Sequence, residues 1–213
     1  MEKIANVIGA GGLVGQQLVV QLLENLEFEK VRSFVRRTSG ISHSKLEEIQ
    51  IDFDQPESWK HLVQGDVLFS TLGTTIKTAK TKENQYRVDF TYQHDFAKAA
   101  VENEVGAYVL VSSMGADSKS SVFYSRIKGE LEEAVSKFNF RKCNIVRPSI
   151  LDGDRKEKRS GEKIGLVISR FLTKYVFKKY QPTPVDVLAA KMIGLSLDQK
   201  EGFCIVEGLE IFK

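Results

Sequence analysis

Apolar residues along this chain fall into short unbroken runs, separated by longer stretches in which they recur every three or four positions. Ile4 to Ile8 is a β-branched, apolar run that ends in glycines, and from Leu13 to Leu26 apolar residues then repeat at helical spacing. Further runs at Val31 to Val35, Leu46 to Ile51, Val67 to Leu72, Ala107 to Val111, Asn144 to Val146 and Phe203 to Val206 read as strands, and most are apolar throughout, as strands buried on both faces are. Helical patterns lie at Glu57 to Leu62, Glu83 to Asn103, Ser121 to Phe138 and Val185 to Leu197; in the second of these, Val88, Tyr92, Phe96 and Ala100 share one face. Alternating strands and helices predict an α/β fold: a doubly wound parallel sheet of about seven strands, joined by right-handed crossovers and flanked by helices on both sides.

The length of 213 residues suits one domain, 1–213, and leaves no room for a second of full size. The least regular stretch, LDGDRKEKRSG at Leu151 to Gly161, reads as a solvated charged loop or, with the chain up to Pro184, as a small C-terminal lobe at 152–184 on the substrate side. A content of 42% hydrophobic residues is enough for a proper core, and a net charge of +3 is too small to make nucleic acid or an anionic membrane the main partner. No apolar stretch is long enough to cross a bilayer. Cys143 and Cys204 form no CxxC, which excludes a zinc ribbon or a disulfide framework and points to a reducing, cytoplasmic address. His43, His61 and His94 stand on different elements and make no ligand spacing, so no metal site is expected.

The first strand runs into Gly9-Ala10-Gly11-Gly12-Leu13-Val14-Gly15, with glycines three apart at 9, 12 and 15. Gly9 permits a tight turn, Gly12 lets a phosphate approach the backbone, and Gly15 lets the helix pack close to the sheet; the helix start then offers free N–H groups to a pyrophosphate. The strand before and the helix after supply the context such a motif needs. No Gly-Lys-Ser/Thr follows, so this is not a nucleotide-hydrolysing loop. At the end of the second strand, where an acid would bind the ribose 2′-hydroxyl of NAD, the chain has Arg36 and Arg37, which suit the 2′-phosphate of NADP(H). At the end of the third, Asp52 can accept from the adenine amino group or simply form a turn, and Phe53 lines the pocket. Leu72 and Gly73 follow the fourth strand, where small residues let a cofactor pass.

After the fifth strand come Ser112 and Ser113, then Tyr124-Ser125-Arg126-Ile127-Lys128, with Tyr124 and Lys128 one helical turn apart. This set allows carbonyl reduction: a phenol delivers a proton to the oxygen while hydride reaches the carbon. An ordinary phenol titrates near 10, so the Lys128 ammonium is needed to favour phenolate and also holds the nicotinamide ribose. A serine hydroxyl positions the carbonyl. Strand alternation lets only one of the two serines face the site, and Ser113 is preferred. Tyr124 also continues the apolar stripe of Ile127, Leu131, Val135 and Phe138, so the competing reading is a packed core residue.

GAGGLVG, VSS, YSRIK and VRPSI, in that order along nearly the whole chain, resemble the short-chain dehydrogenase/reductase superfamily, and FVRRTSG, IDFDQ, TLGTT and YSRIKGELE resemble its small atypical members, the Tat-interacting oxidoreductase group. The resemblance implies a Rossmann-type fold that binds NADPH through Gly9, Gly12, Leu13, Val14, Gly15, Arg36, Arg37, Asp52, Phe53, Leu72, Gly73 and Ser112. It also implies Tyr124 and Lys128 as catalytic residues that touch the cofactor, with Ser113, and Pro148, Ser149 and Ile150 near the nicotinamide. Many relatives have Pro-Gly where this chain has Pro148-Ser149. The resulting expectation is an NADPH-dependent reductase of a small carbonyl or quinone-type substrate. A second reading is an NADPH-binding sensor or assembly protein, and a third, a nucleotide-sugar epimerase, is disfavoured by length. Monomer and homodimer both remain open.

Overall fold

The computed structural model describes residues 3–152 and 181–213. Seven strands form one parallel sheet: β1 (Lys3–Ile8), β2 (Phe28–Val35), β3 (Leu46–Gln50), β4 (Val67–Ser70), β5 (Ala107–Val111), β6 (Lys142–Arg147) and, near the C-terminus, β9 (Gly202–Glu207). Their order is β3-β2-β1-β4-β5-β6-β9, and every neighbouring pair runs parallel. The seven strands are those expected from the apolar runs. The chain winds outward from β1 to β3 and then returns to β4 on the other side of β1. The carboxyl ends of β1 and β4 therefore diverge, the place where open α/β sheets bind their ligands.

Strand alternation sends side chains to two cores. Ala5, Val7, Val31, Phe69 and Val109 face one side, covered by α1 (Leu13–Glu24) and α7 (Val185–Leu197). Ile8, Phe34, Leu68, Tyr108 and Ile145 face the other, covered by α5 (Tyr92–Glu102) and α6 (Phe123–Val135), with Trp59 stacked on Phe96 at 3.9 Å. Short helices α2 (Pro56–Trp59), α3 (Ile76–Ala79) and α4 (Lys82–Tyr86) fill the connections.

Three local features position the site. The helix expected from Glu83 to Asn103 is not continuous α-helix: between α4 and α5 lies a π-helical segment, Arg87–Thr91. No helix joins β2 to β3; residues 36–45 make that crossing as an extended loop. Of the expected lobe at 152–184, residues 153–180 lie outside the described residues; its two ends, β7 (Leu151–Asp152) and β8 (Thr183–Pro184), pair in parallel.

Candidate functional site

Gly9 closes β1 with φ of +87°, and a Cβ there would lie 2.6 Å from the Leu72 amide nitrogen, because the ends of β1 and β4 meet at this point. A Cβ on Gly15 would stand 2.1 Å from the Gly9 carbonyl oxygen, so α1 packs this close to the turn only with glycine there. Gly12 donates its N–H to the Gly9 carbonyl at 2.9 Å and caps α1 without a side chain; no acid stands in the first turn. The N–H groups of Leu13, Val14 and Gly15 consequently have no carbonyl within the helix, and the positive end of the helix dipole is unopposed. A Cβ on Gly11 would meet nothing within 4 Å. A tight turn with open space above it and an uncapped helix end is what a pyrophosphate requires, so the residues present fit a dinucleotide.

The turn opens into a cavity of about 1060 Å³ whose walls include Gly9, Gly12, Arg36, Arg37, Leu72 and Gly73. Phe53 also lines it, buried and packed against Tyr92 and Phe96 with ring centres 5.3 and 5.6 Å away. Among the described residues no carboxylate lies within ion-pair distance of Arg36 or Arg37. Asp52 is not in the cavity wall: one carboxylate oxygen accepts the Asp54 N–H at 3.0 Å and its carbonyl accepts the Trp59 indole N–H, the turn-forming alternative read from the sequence. Asp54 in turn accepts from Tyr92 Oη at 2.8 Å and from Arg87.

Tyr124 and Lys128 stand one turn apart near the start of α6. The Tyr124 side is half open to solvent, whereas Lys128 is buried and its Nζ lies 3.4 Å from Oδ1 of Asp89, an ion-pair distance, although that oxygen completes no hydrogen bond of good geometry. Asp89, fully buried in the π-helical segment, accepts the Thr74 N–H at 3.0 Å through its other oxygen. A Cβ on Gly73 would be 3.5 Å from Asp89, so the cavity wall and the lysine are linked through this one carboxylate. The π turn leaves backbone carbonyls short of partners, and the buried Gln93 amide supplies one, donating to the Asp89 carbonyl at 2.9 Å while it accepts from Ser70 at 2.7 Å. Burial works against the Lys128 ammonium, but Asp89 and then Tyr124 and Glu132 outweigh it and hold the lysine above its ordinary value. Burial likewise pushes the Asp89 carboxyl up, against the pull of Lys128 and the Thr74 N–H.

The two serines point opposite ways. Ser112 is buried and donates to Glu132, which is gripped by Arg147 through Nε at 3.0 Å; Arg147 also reaches Glu207 at 3.3 Å. The Ser112 proton is thus already given to a carboxylate within the core. Ser113 is half-buried, its hydroxyl 3.3 Å from the Met114 carbonyl. Pro148 accepts the Met114 N–H at 3.0 Å, Ser149 donates to the Gln181 carbonyl, and Ile150 is exposed. The serine loop is clamped to α6: the Asp117 N–H donates to the Ser125 carbonyl at 3.0 Å, and a Cβ on Gly129 would be 2.1 Å from the Ser118 nitrogen. The glycine after Lys128 lets the helix come this near. Cys143 is buried and its thiol is pushed up to about 12 by burial alone, consistent with an inert core cysteine. No helix among the described residues is long and apolar enough to cross a membrane, and no cluster of potential metal ligands occurs among them.

Asp89, Gln93, Glu132 and Arg147 were not singled out by sequence reasoning. A signal existed for the first two: a carboxylate and an amide four apart inside a predominantly buried helical stretch.

Residues 9–164 match a family model described as NAD(P)H-binding. Among curated proteins, the chain is 35% identical to "Protein FMP52, mitochondrial" of Eremothecium gossypii over 97% of this chain and 95% of that one, and 32% identical to the protein of the same name from Candida albicans over 91% and 87%. Among solved structures it superposes on the Bordetella bronchiseptica enzyme WbmH in complex with NAD+ (TM-score 0.74, 17% identity, 95% of this chain and 75% of that one) and on an ADP-L-glycero-D-manno-heptose-6-epimerase of Helicobacter pylori (0.73, 19%, 97% and 77%). Those identities carry the fold and nothing finer. The names of the curated relatives correct the cytoplasmic address expected from the cysteines: those proteins are named mitochondrial. Free thiols report a reducing medium and do not say which compartment holds it. With its glycine turn, its seven-stranded sheet and these matches together, the chain belongs to the NAD(P)H-binding family, as an atypical member of the short-chain dehydrogenase/reductase superfamily grouped with the FMP52 proteins.

Proposed function

We propose that this protein is an NADPH-dependent reductase of a small carbonyl or quinone-type substrate. The observation that carries the reading is the buried Lys128, held by Asp89 beside the cavity wall at Gly73 and set one turn behind a half-exposed Tyr124. When bound, the cofactor supplies the hydride. Tyr124 gives its phenolic proton to the substrate oxygen, and the Lys128 ammonium stabilises the phenolate left behind. Ser113, turned away from the core, positions the carbonyl by hydrogen bonding. The preference for NADPH over NADH is supported by Arg36 and Arg37, two guanidinium groups at the cavity with no carboxylate partner among the described residues. Glu48, the acid that also lines the cavity, is spent on the Ser39 N–H at 2.9 Å and so does not take the role of the acid that marks NAD enzymes. Val122 and Ile150 add exposed apolar surface beside Tyr124 and Ser149, which suits an apolar or aromatic substrate.

The test is NADPH oxidation by the full chain against a panel of aldehydes, ketones and quinones, in parallel with Tyr124→Phe. Turnover by the wild type that collapses in the variant is the expected result. Absence of turnover across the panel, with NADPH still bound, would replace the reductase by the sensor reading.

A further inference from the structure

Because residues 36–45 cross from β2 to β3 without a helix, the crossover helix that usually covers the α1 side of these two strands is not among the described elements. The cavity runs on into this gap as a slot. One wall is Val19, Val20 and Leu23 of α1, the floor includes Leu46 of β3, and Ile41 of the crossing loop closes the outside. All five are aliphatic, and the cofactor reading uses none of them. The loop is tied to β3 where the Ser39 N–H donates to both carboxylate oxygens of Glu48, at 2.9 and 3.1 Å. Two polar features mark the slot. Ser33, opposite Glu48 in the β2–β3 register, lines it and is 1% exposed, yet its hydroxyl has no hydrogen-bond partner among the described residues. Arg36 and Arg37 stand at its mouth.

A buried hydroxyl without a partner is costly unless a ligand completes it, an aliphatic channel suits an alkyl chain, and free guanidinium groups suit a phosphate. We infer that the slot binds a single-chain alkyl phosphate: the chain along Val19, Val20, Leu23, Ile41 and Leu46, the phosphate on Arg36 and Arg37, and the Ser33 hydroxyl donating to the oxygen that links chain to head. The inference rests on the proposed function in one respect. If the same arginines hold the 2′-phosphate of NADPH, the amphiphile and the cofactor exclude each other, and the slot regulates the reductase.

Calorimetric titration of the full chain with dodecyl phosphate below its micelle concentration, with inorganic phosphate in a parallel arm, reads the slot directly, whether or not NADPH binds. Dodecyl phosphate should bind at least about tenfold more tightly than phosphate alone. Val20→Gln with Ile41→Gln, both at exposed positions and both without charge, should lose that advantage while NADPH affinity is kept; Ser33→Ala, which deletes only the hydroxyl, should weaken dodecyl phosphate by several-fold. Competition with NADPH in the wild type completes the expected result. Equal affinity for dodecyl phosphate and phosphate, or unchanged dodecyl phosphate binding in both variants, overturns the inference. A lipid-free dimer that the double variant dissociates would show the slot to be an interface between copies, and overturns it too. NADPH that fails to bind while dodecyl phosphate still does would sink the proposed function and leave the slot standing.

Discussion

Lys128 and Asp89 face each other at 3.4 Å, both out of contact with solvent, in a chain whose other ion pairs among the described residues all have at least one partly exposed partner. The carboxylate comes from a π turn and the ammonium from the helix that carries Tyr124, so the pair ties the cavity wall to the reacting end of the site.

Replacing Asp89 with Asn removes the group that holds the Lys128 ammonium above its ordinary value, and burial then lowers it instead. In the wild type, Lys128 adds stability below the ordinary lysine value of 10.5 that is lost as pH rises through its higher folded value. In Asp89→Asn the lowered folded value gives the opposite slope, stability gained with rising pH. Urea unfolding from pH 8 to 11 should therefore show the wild type losing ground to the variant as pH rises, and the alkaline limb of any reductase activity should move to lower pH in Asp89→Asn. Parallel stability curves would mean that the pair is not formed.

Tyr124→Phe deletes a hydroxyl on a side chain that is 40% exposed, so stability should stay within about 0.5 kcal/mol of the wild type. Reductase activity should fall by roughly 10²–10⁴, with NADPH affinity unchanged. Lys128→Met, by contrast, should lower activity and cofactor affinity together, because one ammonium serves both. Single-turnover kinetics and direct cofactor titration separate the two outcomes.

Arg36→Ala should weaken NADPH by roughly 1–3 kcal/mol, the strength of one charge-assisted contact, and leave NADH nearly unchanged. Equal losses for the two cofactors in a fluorescence titration would place Arg36 away from the 2′-phosphate.

Gly15→Ala would put a methyl group 2.1 Å from the Gly9 carbonyl, backbone against backbone, so the turn or the helix must shift. A cost of about 1–3 kcal/mol is expected, seen as a fall in melting temperature of roughly 2–4 °C per kcal/mol. Because the shift moves the phosphate-binding turn, NADPH should also restore less thermal stability to the variant than to the wild type.

The seven strands and the glycine turn were legible in the residues because each rests on a local rule. Strands buried on both faces must be apolar throughout, and a turn that brings Gly9 within reach of Leu72 tolerates no side chain, so composition alone betrays both. The spacing of Tyr124 and Lys128 was legible for the same reason, as one turn of one helix. What no local rule contains is how elements far apart in the chain meet. Asp89 and Lys128 are close only because α6 packs on the segment between α4 and α5, and the π turn that aims Asp89 is stabilised by Gln93, Ser70 and tertiary packing with no helix-breaking residue to announce it. Alternation limited the serines to one facing the site, but that Ser112 is tied to Glu132 and Arg147 follows only from how β5, β6 and α6 pack together. The slot beneath Arg36 and Arg37 exists for a similar reason: the aliphatic residues of α1 read as ordinary core positions, and only the path of a helix-free crossing from β2 to β3 leaves some of them uncovered.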